Sequence, residues 1–470
     1  MKTLALLLSL VLVPAGTAPQ DSSKPNFIVI NVDDLGTADI GPFGSKLNRT
    51  PNLDRMAREG RKLTSFYAAP VCSPSRASLM TGCYPKRSLP IPHVLFPGNA
   101  EGLAPSEITV AELLKARGYA TAIVGKWHLG DQPEFLPTRQ GFDTWFGLPY
   151  SNDMGPAADG VKSNFGAPLP ESKGKGQPPL PLLRGETVIQ RVVAKDQTEL
   201  TERYTVEALG FLRAHKGGPF FLYMPHNAVH FPLYPGDAFR GKSKNGLYGD
   251  WVEEVDASVG RILDAVRELG LEKRTLVLFV SDNGGTNRGS NAPFRGFKAS
   301  TLEGGVRVPA IAWWPGTIPA GTETDAVAGM MDVLPTLAKQ SGGEPPADRK
   351  IDGRDLWPLL TGEAGAKGHE AFYYYRGLKL EAVRGGPWKL HLAKGELYHL
   401  GNDPGEAKNV AADHPEEIAR LRGLADRMKD DLGLDGIGPG CRALGRAKEP
   451  KPLIDPEGKI REGFEAPVKK

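Results

Sequence analysis

"NFIVINVDD", Asn26 to Asp34, is the stretch from which the fold follows. Its first seven residues form a short β-branched run that reads as a buried strand, and two carboxylates stand at its carboxyl end. Outward from it, strand and helix patterns alternate. "TPNLDRMAREG" reads as a helix, with Thr50 as N-cap, Pro51 in the first turn and Gly60 as stop. "TVAELLKARG" repeats the design with Thr109 as cap and Gly118 as stop, and "YATAIVG" is the next strand. The helix "LTERYTVEALGFLRAH" leads to the strand "PFFLYM". The long amphipathic helix "WVEEVDASVGRILDAVRELG" leads to "TLVLFV", and the strand "VPAIAWW" precedes the helix "VAGMMDVLPTLAKQSG". Such alternation argues for an α/β fold, a largely parallel sheet with helices on both faces.

Two regions break the pattern. Residues 151–198 are rich in Pro, Gly and Lys without clear periodicity, and read as inserted loops near the mouth of a site. After Gly342, "AFYYYRG", "EAVRGGPWKLHL" and "ELYHL" read as antiparallel strands with tight turns, and "HPEEIARLRGLADRMKDDLG" as a closing helix. The expected division is a catalytic α/β domain over 25–345, a small C-terminal α+β subdomain over 346–434, and an irregular tail over 435–470.

The first 18 residues read as a removable export signal. Lys2 supplies the positive end, Leu4 to Val13 the apolar run, and "AGTA" the small-residue cleavage site. The run is too short to span a bilayer, so removal is expected and not anchoring. The mature chain is then periplasmic or secreted. A net charge of +3 on 470 residues gives no argument for a nucleic-acid partner. Three cysteines, Cys72, Cys83 and Cys441, are too few for a disulfide framework. A Cys83–Cys441 pairing stays open, as does the oligomeric state.

Polar residues crowd the carboxyl ends of the strands. Asp33 and Asp34 follow the first strand, Lys126-Trp127-His128 follow "YATAIVG", His226 and His230 follow "PFFLYM", and Asp282-Asn283 follow "TLVLFVS". Ligands in open parallel sheets bind at that rim. Asp33, Asp34, Asp282 and Asn283 are oxygen donors, which suit calcium or magnesium better than zinc. Either pair alone is an ordinary turn after a strand; the two together suggest a metal. Lys126, His128, His226, His230 and Lys298 each have a bland reading as loop or structural residues. Their shared placement describes a cationic, metal-bearing pocket for an anionic tetrahedral ester. Cys72, at the start of "CSPSRASLMTG", gains thiolate character at a helix N-terminus, so a thiol nucleophile is the first reading. A soft thiolate beside a hard-cation site is chemically awkward.

"CSPSR", Cys72 to Arg76, with "ASLMTG" behind it, resembles the type I sulfatase signature Cys-x-Pro-Ser-Arg. From Asn26 to about Gly433, "NVDDLG", "GKWHLG", "HFPL", "SDNGG", "GFKASTLEGGVRVP" and "DVLPTL" stand in family order. "PLLRGE" and "LTERYT" resemble the arylsulfatase A and N-acetylgalactosamine-6-sulfatase branch. The resemblance implies an alkaline-phosphatase-like three-layer α/β/α sandwich and a sulfuric ester hydrolase of the arylsulfatase type. It implies that Cys72 is a precursor, oxidised to formylglycine (3-oxoalanine) by a formylglycine-generating enzyme during export. It assigns Asp33, Asp34, Asp282 and Asn283, with residue 72, to one calcium ion. Arg76 would hold the formylglycine hydrate, Lys126 and Lys298 would bind sulfate oxygens, and His128 would act on the second hydroxyl of the hydrate. His230, in "HFP", would serve the leaving oxygen; no role is carried onto His226.

The implied chemistry is self-consistent. A sulfate monoester is a stable anion, so attack needs charge neutralisation by metal, lysines and a helix N-terminus. A hydrate offers two hydroxyls on one carbon: one attacks sulfur, and deprotonation of the other ejects sulfate. The expected substrate is an extracellular sulfated carbohydrate or a small aryl sulfate. Two rivals remain: a phosphate or phosphonate ester hydrolase on the same fold, and a silent calcium-dependent glycan-binding protein if Cys72 is never oxidised.

Overall fold

The computed structural model describes residues 24–169 and 176–467. The export signal expected over the first 18 residues lies outside them. No helix among the described residues is long and apolar enough to cross a membrane.

Ten strands make the spine of the large sheet: β1 Asn26–Val32, β2 Arg61–Tyr67, β3 Ala120–Val124, β4 Thr144–Gly147, β5 Leu180–Arg184, β6 Thr187–Val192, β7 Phe220–Pro225, β8 Thr275–Ser281, β9 Arg307–Trp313 and β10 Thr322–Thr324. Their order is β10-β2-β9-β8-β1-β7-β3-β4-β5-β6, and the two-residue strand Ala328–Gly329 also pairs with β2. β1 lies at the centre, parallel to both β7 and β8. The sheet is mixed, because β9 runs antiparallel to β2 and β8, and β5 and β6 run antiparallel at the far edge.

The period of two along each central strand sends alternate residues to opposite faces. Ile28, Ile30, Val277, Phe279 and Leu222 face one apolar layer, built from helices α1 Pro51–Glu59, α4 Leu200–His215 and α5 Gly246–Glu268. Phe27, Val29, Leu278, Val280 and Phe221 face the other, built from α2 Cys72–Thr81, α3 Val110–Lys115 and α6 Val333–Gln340. The result is three layers. Thr109 caps α3 through a reciprocal pair of bonds with Glu112. Thr50 does not cap α1; its hydroxyl accepts from the Gly41 amide instead. The cap comes from Asp256 of α5, whose carboxylate accepts from the amides of Asn52 and Leu53. Local sequence cannot show a cap supplied from 200 residues away. Helix α6 begins six residues later than "VAGMMDVLPTLAKQSG" suggests, because Ala328–Gly329 belongs to the sheet and Met330–Asp332 is a 3-10 turn.

The stretch 151–198 is not only loops. β5 and β6 form a hairpin through Gly185-Glu186 and extend the sheet beyond β4. The prolines at 178, 179 and 181 hid the strand pattern, yet Leu180, Leu182, Val188 and Val192 are buried. Past residue 345, β11 Ala371–Arg376, β12 Lys379–Gly385, β13 Trp388–His391 and β14 Glu396–His399 make a four-stranded antiparallel sheet. Helix α7 Pro415–Asp426 packs on it. This sheet shares a core with the large one: the rings of Tyr67 and Phe372 stack at 4.6 Å. The segment after Asp435 is mostly irregular, but it closes back on the first domain. Gly445–Arg446 pairs with Glu101–Gly102, and Leu453, Ile454 and Phe464 are buried against the core of the large sheet. Cys83 and Cys441 are both free thiols.

Candidate active site

The carboxyl ends of β1, β3, β7 and β8 converge on the buried N-terminus of α2. β1 passes directly into Asp33 and Asp34, and Asp34 sits at φ 59, a left-handed turn that aspartate tolerates. The turn is stitched to its neighbours: the Asp33 amide donates to the Ala228 carbonyl, and the Asp282 amide to that of Val32. After β3, Gly125 takes φ 133, and a Cβ there would lie 1.9 Å from the Pro225 carbonyl oxygen. Only glycine lets the chain pass so close, and the next amide, that of Lys126, donates to that same Pro225 carbonyl at 2.7 Å.

Around Cys72 the side chains interlock. Asp33 Oδ1 lies 3.3 Å from Cys72 Sγ, and Lys298 Nζ lies 3.5 Å from the same sulfur. Arg76, one turn along α2, donates to Asp282 at 2.8 and 3.0 Å, to Asp33 at 3.2 Å and to the Lys126 carbonyl at 2.6 Å. Lys126 Nζ donates to Asp33 Oδ2 at 2.5 Å and Lys298 Nζ to Asp34 Oδ1 at 2.7 Å. Three carboxylates (Asp33, Asp34, Asp282) therefore meet three cations (Arg76, Lys126, Lys298), and five of these six are almost fully buried. Burying so many charges is costly, and only the mutual pairing makes it tolerable.

The electrostatics separate the acids. Burial raises Asp33, but Lys126, His230, Arg76 and Lys298 outweigh it and hold the carboxyl well below the usual range. Asp282 is pushed up, first by burial and then by the charge of Asp33. Burial works against the charge on Lys298, yet Asp34 above all holds it well above the ordinary lysine range. Burial, together with Asp282 and Asp33, drives the Cys72 thiol far upward. These surroundings oppose the thiolate that a helix N-terminus favours, and so count against the first reading of Cys72 as a thiol nucleophile.

The histidines differ. His128, held at φ 64, places Nε2 3.0 Å from the Leu95 carbonyl, which can only accept. Nε2 therefore carries the proton, and Nδ1 is a bare base, buried and without a protein partner. Burial, with Lys126 and Arg76 nearby, keeps this ring neutral. His230 Nδ1 lies 2.6 Å from the Phe231 carbonyl, which leaves Nε2 as the exchangeable position, 3.7 Å from Asp34 Oδ2. His226 is fully buried, both ring nitrogens lack partners, and its ring centroid lies 6.3 Å from that of Tyr204. Burial pushes its pKa down to about 4, so it is neutral.

Asp33, Asp34, Cys72 and His230 each bring one ligand atom within 4.8 Å of the others, an arrangement able to hold a metal ion. Asn283 stands beside them: its Nδ2 donates to Asp34 Oδ1 at 2.8 Å, and its Oδ1 is buried with no partner. An orphaned amide oxygen beside clustered carboxylates fits a hard cation. Sequence reading missed Ser151, whose hydroxyl bridges Lys126 Nζ and His230 Nδ1, each at 3.3 Å. Its signal was its place just past the carboxyl end of β4, a strand the sequence reading left out.

The family described as Sulfatase matches residues 25–343, and the C-terminal family of N-sulphoglucosamine sulphohydrolase matches residues 297–431. The chain is 40% identical to N-acetylgalactosamine-6-sulfatase of Rattus norvegicus over 95% of each chain. It is 38% identical to arylsulfatase A of Bos taurus over 85% of each. Among solved structures it is similar to Ps i-CgsB in complex with k-i-k-neocarrahexaose, with a TM-score of 0.74 and 29% identity, covering 86% of this chain and 92% of that one.

Proposed function

This chain belongs to the sulfatase family and is a sulfuric ester hydrolase, and from that premise we propose that it hydrolyses the sulfate monoester of an extracellular carbohydrate after export to the periplasm or medium. The single observation that carries the reading is the cluster of three cations and three carboxylates closed around Cys72 at the buried start of α2. Oxidised to formylglycine by its maturation enzyme, Cys72 would supply an oxygen nucleophile that can later release sulfate, and one bound calcium ion would supply Lewis acidity. Asp33, Asp34, Asp282 and Asn283, with residue 72, would hold that ion. Oxygen donors suit calcium, so His230, whose Nδ1 is engaged by the Phe231 carbonyl, is left for proton transfer.

The charge count supports a sulfate ester. The three carboxylates cancel the three side-chain cations, so a bound divalent ion leaves the pocket positive where a sulfate anion enters. Lys126 and Lys298 take its oxygens, and Ser151 keeps Lys126 and His230 in register. Arg76, clamped by Asp282 and the Lys126 carbonyl, orients residue 72. His230 Nε2 delivers a proton to the departing alcohol oxygen. His128 Nδ1, bare and neutral, accepts the proton that must leave residue 72 before sulfate is freed. The carbohydrate assignment rests on the likeness to a sulfatase relative named for an amino sugar and to a structure holding an oligosaccharide.

The test is release of sulfate by the matured enzyme from a panel of sulfated mono- and disaccharides and aryl sulfates, with mass spectrometry of the Cys72 peptide. Oxidised Cys72 and turnover of a sulfated sugar are the expected results. Aryl sulfates alone as substrates would overturn the carbohydrate reading, and turnover with unmodified Cys72 would overturn formylglycine.

A further inference from the structure

A second buried charge cluster lies where the C-terminal sheet meets the large domain, on the loop that carries Lys298. Lys389 of β13, Glu303 and Glu406 are all fully buried. Lys389 Nζ donates to Glu303 Oε1 at 2.9 Å and to the backbone carbonyl of Thr301 at 2.8 Å, and lies 3.1 Å from Glu406 Oε1. Glu406 Oε2 accepts from the Glu303 amide at 2.7 Å, and Tyr374 of β11 donates to Glu303 Oε1 at 2.9 Å. Glu381 of β12 accepts from the Thr301 hydroxyl at 2.8 Å. Segment 301–303 is thus gripped by four side chains of the C-terminal part of the chain.

That segment begins three residues after Lys298. On the other side the loop is pinned by the Lys298 amide on the Gly285 carbonyl at 3.1 Å and the Ala299 amide on the Pro70 carbonyl at 2.8 Å. Ala299 is forced to φ 68, a left-handed conformation unfavourable for alanine. A strained residue persists only where its surroundings over-determine it, and the grip on Thr301–Glu303 does so here. Resting on the reading of Lys298 as a sulfate-binding group, we propose that Lys389, together with Glu381, is a positioning residue. It holds the loop at Thr301–Glu303 so that the Lys298 ammonium stays beside Cys72. Arg307 and Tyr67 hold the other oxygen of Glu303, and His391 shares Glu406 Oε1, but Lys389 alone stands between the two carboxylates; without it they face each other with one fewer cation between them and the loop shifts.

The experiment uses the full, matured, calcium-loaded enzyme and inorganic sulfate as probe, with Kd by calorimetry and Tm alongside. Lys298→Ala, Lys389→Met and the double variant complete a cycle. Lys298→Ala weakens sulfate if the reading of Lys298 holds, and an unchanged Kd there overturns that reading and this proposal with it. Lys389→Met is expected to weaken sulfate about 10- to 100-fold. The double variant is expected to be no weaker than Lys298→Ala, since both changes remove one interaction. Folded Lys389→Met with wild-type affinity, or losses that add in the double variant, overturns the positioning role. Thr301→Val, which removes the Glu381 bond and strands no charge, decides the matter if Lys389→Met does not fold. It is expected to weaken sulfate about threefold or more, and an unchanged Kd counts against the grip.

Discussion

Lys298 and Cys72, separated by 226 positions, meet at 3.5 Å, with Asp33 against the sulfur and Asp34 against the ammonium. A group that is to become a sulfate-accepting centre stands next to a cation that can hold sulfate. Cys72→Ala should therefore abolish sulfate release with the fold retained, because the residue is buried and its sulfur is held by two long hydrogen bonds, to Asp33 and from Lys298. Cys72→Ser should fail equally in a host whose oxidising enzyme accepts only cysteine. Substantial turnover by the alanine variant, with native circular dichroism, would contradict the proposal.

Metal content and stability should separate at Asn283 and Asp282. Asn283→Ala removes an orphaned oxygen and should lower calcium content and activity together while leaving Arg76 paired. Asp282→Ala also strips Arg76 of two of its hydrogen bonds, so it should cost about 3 kcal/mol of stability in addition. Elemental analysis and denaturant unfolding read the two effects. Equal stability losses in both variants would refute the distinction.

The two histidines of "MPHNAVHFPLYP" should differ in leaving-group dependence. His230→Ala should slow sulfates of poor leaving groups by about 10²-fold or more and activated aryl sulfates far less, as a missing general acid does. His226 is neutral, buried and beside Tyr204, so His226→Ala should act uniformly on all substrates. kcat/KM across aryl sulfates of graded phenol acidity checks this. A steeper dependence in the His226 variant would reverse the roles.

Glu254 on α5 gives a pH prediction away from the site. Burial raises its carboxyl to about 8, against the Gly236 amide bond, which lowers it. The folded pKa lies above the unfolded one, so the native state holds the proton more tightly. Stability should fall as pH rises from about 4.5 to 8, by about 1.4 kcal/mol per unit at most, and level off above. Glu254→Gln should remove that slope, gaining on wild type through this window. Parallel Tm–pH curves for the two proteins would exclude it.

Much of the molecule was legible in sequence because its signals are local. The β-branched run before Asp33, the run before Asp282 and the cap at Thr109 depend on neighbours in the chain, and the structure has each in place. So do the positions of the site residues, since acids and histidines after buried strands fall at the rim of a sheet by the geometry of parallel pairing. The family signature around Cys72 was likewise a contiguous motif.

What the tertiary structure alone decided comes from groups distant in sequence. The antiparallel sense of β9, the hairpin hidden among prolines in 151–198 and the cap of α1 by Asp256 depend on partners that no local pattern names. The same holds for Ser151 between Lys126 and His230, and for the Nδ1 of His128 left bare because Leu95 takes Nε2. Periodicity and propensity act over a few residues and so fix elements. Hydrogen-bond and charge pairing act through space, and only the packed chain brings Lys389 to the loop of Lys298 or lets burial, with Asp282 and Asp33, oppose the thiolate character that a helix N-terminus alone would have conferred on Cys72.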